Sequence, residues 1–527
     1  MRKIVNYMCL VFVASYLLSC NSKSSNDTYK EQQFQYEEMS VSEMQHGYKQ
    51  GEFTIEEVVQ AYLNRIEALD KNGPTLNAVI QINPDALKIA KQMDIELKAG
   101  KVRGPLHGIP VLLKDNIDTH DQMETTAGSR ALLGSHPIQD SWVAKKLRES
   151  GAIIIGKTNL SEWANFRGNL SISGWSGVGG QTKNPYILDR NPCGSSSGSG
   201  VAVSANLCMI AIGTETNGSI VCPAHANGIV GIKPTVGLIS RSGIIPISST
   251  QDTPGPMARS VADAATCLGV LTGIDSSDNK TVNSKEKCYT NYTQFLNEKG
   301  LEGKRIGWYK PSAGTHFKVD ALMNRAIEFI KNQGAEVIEL DAISLENVEN
   351  YSFEVMLYEY KAGLNTYFSS LGAQSPIKNL DDLIAFNEKD SVELRYFDQA
   401  FLKMANQKGD LNSKEYLDAL ARMQKGMQKD GMDRVMDANK LDAIIAPTGA
   451  PAWKTDAVNG DFYMLGSSSP AAISGYPNIT VPMGFIDELP VGISFFGRAW
   501  SEPVLIEIAY SYEQGTKYRK APKFLNN

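Results

Sequence analysis

Hydrophobic positions change their period along this chain. Between Glu31 and Asp70 they recur at helical spacing, and Thr54-x-x-Glu57 forms a capping-box pattern opening an amphipathic run through Val58, Tyr62, Leu63 and Ile66. From about residue 76 to 260 short apolar runs, frequent glycines and few charges take over. Ile109–Leu113, Ala152–Ile155 and Ile210–Ile212 read as strands, and Ser141–Glu149 as a helix between them. Such alternation predicts an α/β sheet covered on both faces. A polar connection fills 275–300, Arg305–Tyr309 resumes strand character, and Met- and Glu-rich helical sequence occupies about 317–435 as an insertion. Leu441–Ala446 and Ile479–Pro482 return to strand. Without an internal repeat or a long linker, 31–527 is expected to be one interlocked domain.

The N-terminus follows another pattern. Arg2 and Lys3 precede the apolar stretch Ile4–Leu18, and Leu17-Leu18-Ser19-Cys20 closes it. A basic start, a short apolar core and a small residue at the cut predict an export signal over 1–19. Its ending resembles the lipobox of bacterial lipoproteins, which implies lipidation of Cys20, a polar tether over 20–30, and an exported protein held to a membrane by that lipid alone, on the periplasmic or cell-surface side. No other apolar run approaches the roughly 18 residues of a membrane-spanning helix.

Composition narrows the partners. With 42% hydrophobic and 21% charged residues the chain has an ordinary globular balance, and its net charge of −6 gives no nucleic-acid or anionic-membrane surface. Of the 7 cysteines, signal cleavage removes Cys9 and lipid takes Cys20. Cys193, Cys208, Cys222, Cys267 and Cys288 remain, an odd set without a CxxC pair, in a chain long enough to build a core unaided. Buried thiols, rather than zinc or a disulfide framework, are expected.

Three motifs fail on their physics. Gly151 to Thr158 satisfies the phosphate-loop pattern, yet its variable positions are the apolar residues of a strand, where a phosphate loop needs exposed N–H groups. Gly194-Ser195-Ser196-Ser197-Gly198 contains the G-x-S-x-G of a nucleophile elbow, but only His225 and His316 follow it, neither well placed as a base. Ser284-x-x-Lys287 near Ser277-Asp278-Asn279 has β-lactamase fragments in the wrong order.

A fourth constellation makes chemical sense. Gly108-Ile-Pro-Val-Leu-Leu-Lys114 puts a lysine at the end of an apolar strand, where burial depresses its pKa and leaves a neutral amine able to act as a base. Ser195 sits in a small-residue loop opening an Ala/Val-rich helix. Gly213-Thr-Glu-Thr216-Asn217-Gly218-Ser219 is a tight turn after another apolar strand, able to aim backbone N–H groups at an oxyanion.

Together these segments resemble the amidase-signature enzymes, from about Leu106 to Pro256 and again in Leu441–Thr448 and Ser474–Gly484. Thr-Glu-Thr-Asn-Gly-Ser-Ile-Val-Cys-Pro, from Thr214 on, resembles the peptide-amidase branch. The resemblance implies a large mixed β-sheet covered by helices on both faces, and amide hydrolysis without metal or cofactor. It implies Ser219 as nucleophile, Ser195 as bridging serine after a cis peptide bond, Lys114 as base, and Thr216, Asn217, Gly218 and Ser219 as oxyanion hole. Gly168 and Asn169 fall where the family lines its acyl pocket. The chain departs from the common pattern in reading Cys193-Gly-Ser-Ser-Ser-Gly198 and in carrying Asn217 for a frequent glycine. Ser196, Ser197 and Ser199 read as turn or cap residues. Arg190 is expected to brace the Ser195 loop, and His107 to pack beside the lysine strand. Small-molecule or peptide amides are the expected substrates, peptide C-terminal amides first. Two rivals stand beside this: the A subunit of a glutamyl-tRNA amidotransferase, and an inactive lipid-anchored binding protein.

Overall fold

The computed structural model describes residues 34–344, 348–372, 375 and 377–526. The export signal, Cys9, Cys20 and the tether lie outside these described residues. No described helix is long and apolar enough to cross a membrane.

The core is one mixed sheet. Its first strands are β1 (Val79–Ile82), β2 (Pro110–Lys114) and β3 (Ile153–Thr158). A two-stranded ribbon, β4 (Trp175–Ser176) and β5 (Gly180–Gln181), stands apart from it. Then follow β6 (Ile210–Glu215), β7 (Val230–Lys233), β8 (Thr253–Ala258), β9 (Arg305–Tyr309) and β10 (Glu336–Leu340). The last are β11 (Ala443–Pro447), β12 (Asn478–Ile486) and β13 (Leu489–Phe496). The spatial order of this 11-stranded sheet is β1-β3-β2-β6-β8-β7-β12-β13-β11-β9-β10. β3, β2 and β6 run parallel, as do β11, β9 and β10, with antiparallel pairs between these two groups.

Neighbouring side chains on a strand point to opposite faces. Every residue of β2, β3, β6 and β11 is buried, so both faces of the sheet are covered there. One apolar cluster runs from Tyr36 to Phe524, joining the first and last described segments in a single core. The expected capping box is present: the Thr54 side chain accepts from the Glu57 N–H and the Glu57 carboxylate accepts from the Thr54 N–H.

The helical span expected over 317–435 needs correction. Helix Phe317–Asn332 leads into β10, which pairs in parallel with β9, so this stretch belongs to the sheet. The insertion proper begins with helix Glu349–Ser370, whose Tyr360, Leu364 and Phe368 pack on Trp163 and Phe166 in a separate cluster.

The cysteines also differ from expectation. Cys193 and Cys222 form a disulfide, with Cα atoms 5.9 Å apart, because the turn after β6 folds back over the Ser195 loop. Cys208 and Cys267 are buried free thiols and Cys288 is half-buried.

Candidate active site

Strand pairing assembles the site. The parallel register Val111↔Ile210, Leu112↔Ala211, Leu113↔Ile212 brings Lys114, at the C-terminal end of β2, alongside Thr214 near the end of β6. Lys114 is fully buried. Its Nζ donates to Ser195 Oγ at 2.7 Å, to Thr214 Oγ1 at 2.9 Å and to the Thr214 carbonyl at 3.3 Å. Asn116 Nδ2 donates to the same Thr214 hydroxyl at 3.0 Å. Burial brings the Lys114 pKa down to about 7, against the opposing fields of Asp252 and Glu215. An amine at that value is a base at neutral pH.

Ser195 is also fully buried, and its peptide bond to Gly194 is cis. The neighbouring serines order the loop, as expected. Ser196 Oγ donates to the Thr214 carbonyl at 3.1 Å and accepts the Thr214 N–H at 3.2 Å. Ser197 Oγ donates to the Cys193 carbonyl at 2.6 Å, and Ser199 Oγ to the Ile212 carbonyl at 3.2 Å. Arg190 does not brace this loop: it pairs with Asp189 next door, 3.4 Å away. Asn191 does, accepting the Cys193 N–H at 2.8 Å and donating to the Ser173 carbonyl at 2.9 Å. His107 packs against Gly151 and contacts the Met93 carbonyl at 3.3 Å, away from the site.

Ser219 lies at the floor of an open cleft, 9% exposed, and the Ser196 N–H donates to its carbonyl at 3.1 Å. Its hydroxyl makes no hydrogen bond among the described residues, so the structure joins Lys114 to Ser195 but leaves the Ser195–Ser219 link open. Catalytic hydrogen bonds commonly close only when substrate is bound. The turn before Ser219 is held from both sides. Glu215 Oε2 accepts the Ile220 and Val221 N–H groups at 2.8 and 3.0 Å. Thr216 Oγ1 donates to Asp252 Oδ1 at 2.6 Å. Gly218 takes φ +82°, a left-handed conformation that a side chain would strain. None of the N–H groups of Thr216, Asn217, Gly218 and Ser219 finds an acceptor among the described residues, which leaves them available to an anionic oxygen in the cleft.

The cleft has a volume of about 590 Å³. Gly168 and Asn169 line it, with Leu170, Phe401, Trp453 and Tyr463 as apolar walls. Asn217 ties the turn to one wall, accepting from Ser468 Oγ at 2.7 Å and donating to Ser469 Oγ at 3.2 Å. Asp461 is the one charged lining residue among those described, and its carboxylate accepts from Ser173, Asn191 and Trp453. No Lys, Arg or His lines the cleft among the described residues. Beside Gly168, Arg167 bridges Glu162 at 2.6 Å and Glu393 at 3.1 Å, all three fully buried, which pins the helical insertion to the cleft wall. A larger groove of about 790 Å³ lies between Phe34 and Leu69, and none of Lys114, Ser195 and Ser219 lines it.

Sequence reasoning missed Asp252, Thr214, Asn191 and the disulfide. Asn191 had a readable signal, an Asx turn two residues before Cys193. Asp252 had none, since it reaches the site only through the return of β8 alongside β6.

The sequence model of the family described as Amidase matches residues 57–506. The native peptide amidase from Stenotrophomonas maltophilia is 49% identical, covering 93% of this chain and 99% of that one, with a TM-score of 0.90. A probable amidase from Arabidopsis thaliana is 40% identical over 98% of this chain and 97% of its own length. The A subunit of the glutamyl-tRNA(Gln) amidotransferase from Carboxydothermus hydrogenoformans is more distant, at 33% identity over 92% of this chain and 98% of its own.

Proposed function

Because the chain belongs to the amidase family, hydrolases that act on carbon–nitrogen amide bonds, we propose that it cleaves linear amides through Lys114, Ser195 and Ser219 and an acyl-enzyme. Neutral Lys114 takes the Ser195 proton as Ser195 takes that of Ser219. Ser219 Oγ then attacks the amide carbonyl, and the N–H groups of Thr216 to Ser219 receive the developing negative charge. The relay returns a proton to the departing ammonia or amine, and water, activated by the same path, releases the acid.

The observation carrying this reading is the fully buried Lys114 amine, 2.7 Å from Ser195 and poised near neutrality. Ser219→Ala tests it: turnover and fluorophosphonate labelling should both vanish while far-UV circular dichroism is unchanged. Undiminished turnover would remove the mechanism, and a wild type that neither labels nor turns over amides would favour the inactive-binder rival.

For substrate, C-terminal amides of peptides fit best. The similar solved structure is a peptide amidase, and a cleft without cationic side chains suits a neutral amide better than a free carboxylate. The export pattern and the net charge of −6 disfavour the amidotransferase rival, which would work in the cytosol beside a tRNA-binding subunit. Export with a lipid on Cys20 remains part of the proposal, supported by the N-terminal pattern and by a disulfide suited to an oxidising compartment. Metabolic labelling with palmitate should mark the wild type and not Cys20→Ala; equal labelling would refute the anchor.

A further inference from the structure

We propose that the Cys193–Cys222 disulfide is a positioning element for the reaction, holding the two serine-bearing loops in register, and that a small dithiol entering the cleft silences the enzyme by cutting it. This rests on the assignment of Ser195 and Ser219 made above.

The placement is the argument. Cys193 lies two residues before Ser195, and Cys222 three residues after Ser219, in the first turn of helix Val221–Ala226. Each serine follows a glycine, Gly194 or Gly218, the residue type with the widest backbone freedom. Hydrogen bonds also join the loops, among them the Ser196 N–H to the Ser219 carbonyl at 3.1 Å, the two between Ser196 Oγ and Thr214, and Asn227 Nδ2 to the Pro192 carbonyl at 2.9 Å. Among the described residues, the disulfide is the one covalent link that spans both glycine–serine pairs.

It also lies in the cleft wall, with Cys193 4% and Cys222 3% exposed. Both cysteines line the cleft, where they pack with Ala226 and Trp453. The remaining described cysteines do not line it. Cys208 is fully buried and burial pushes its thiol up to about 12, and Cys267 is held up in the same way. Reductant in the cleft therefore meets this cross-link first.

The exchange balances. One sulfur of the dithiol, as thiolate, attacks one protein sulfur to give a mixed disulfide. Its second sulfur closes a cyclic disulfide, leaving Cys193 and Cys222 as thiols after transfer of two electrons and two protons from the dithiol. Once the link is cut, Ser219 drifts relative to Ser195 and Lys114. A misplacement of about 1 Å costs on the order of 10²-fold in rate. The walls at Leu170, Phe401 and Tyr463 belong to other segments, so kcat falls while KM changes little.

The test uses the full oxidised chain and a C-terminally amidated dipeptide. Thiols are counted with an aromatic disulfide reagent before and after dithiothreitol, with kcat, KM and far-UV circular dichroism followed in parallel. The proposal expects two new thiols, a kcat at least about tenfold lower at unchanged KM and ellipticity, and recovery on reoxidation. The Cys193→Ala/Cys222→Ala variant should share the low kcat and ignore dithiothreitol. Should that variant fail to fold, the reversible loss in the wild type decides alone. Retained kcat after two thiols appear, a thiol count unchanged even in denaturant, or a link that dithiothreitol cuts only after unfolding would each overturn it. Ser219→Ala run alongside separates the two ideas: turnover by that oxidised variant sinks the serine assignment, not the cross-link.

Discussion

Lys114→Met should separate stability from catalysis in this fold. Burial holds the Lys114 pKa at about 7 in the folded chain, against an ordinary 10.5. The folded value is the lower one, so between those limits the unfolded chain binds the extra proton and stability rises with pH. At pH 7 the resulting penalty, RT ln[(1 + 10^3.5)/2], is about 4 kcal/mol, and the same expression falls to about 1 kcal/mol at pH 9.5. Methionine fills much the same space without titrating. It forfeits the three Nζ hydrogen bonds to Ser195 and Thr214, about 1 kcal/mol each, a loss that does not depend on pH in this range. The variant should therefore be about 1 kcal/mol more stable than wild type at pH 7 and about 2 kcal/mol less stable at pH 9.5, and inactive at both. Urea unfolding at the two pH values measures this directly. A stability difference that moves by less than about 1 kcal/mol between them, or amide turnover by the variant, would refute the reasoning.

Three further outcomes follow from the charges around the site. With a base titrating at about 7, kcat/KM should fall about tenfold per pH unit below it. Asp252, raised by burial to about 6, helps hold the proton on Lys114, so Asp252→Asn should move this acid limb to lower pH; an unmoved or alkaline-shifted limb contradicts the coupling. Arg167→Met leaves the buried Glu162 and Glu393 without their shared cation, which should cost about 3–5 kcal/mol in urea unfolding at pH 8. Burial and the neighbouring Glu393 raise the Glu162 pKa already, and losing the guanidinium raises it further. The unfolded carboxylates then lose their protons first as pH rises, so the deficit should be smaller at pH 5; a deficit that grows on acidification would contradict this.

Local chemistry was legible in the sequence. The lysine closing an apolar strand, the Gly/Ser loop before a helix and the Gly218-Ser219 turn each carry their signal within a few residues, and the structure sets the loop and the turn at one cleft with Lys114 buried behind Ser195. Glu336–Leu340 shows where local reading fails. β10 is an edge strand with Glu336 exposed and Leu340 buried, and charges on an edge are how sheets avoid pairing with other chains. In a Glu-rich stretch the same charges imitate a helix, and only the parallel ladder with β9 decides between the two.

The harder failures are those where a residue acts through chain crossing. Five cysteines, an odd number, gave no reason to pair any of them, because counting treats thiols as equivalent when geometry does not. The Cys193 loop opens helix Ser197–Ser204, which leads back into β6, and it packs on the turn beyond the C-terminal end of β6, where the Ser196 N–H meets the Ser219 carbonyl; that packing puts Cys193 and Cys222 within reach of each other and leaves Cys208, Cys267 and Cys288 unpaired. Asp252 reaches the site in the same way. β8 returns antiparallel to β6, with Thr253 opposite Glu215, so the residue before β8 meets the one after β6 and Asp252 accepts the Thr216 hydroxyl. Both features follow from strand order, and strand order is what periodicity leaves undetermined: a period of two says that a strand exists and which face is buried, not which strand lies beside it. In this protein the side chains proposed to react come from local motifs, while the groups that restrain them and set their charge come from the neighbours that the sheet supplies.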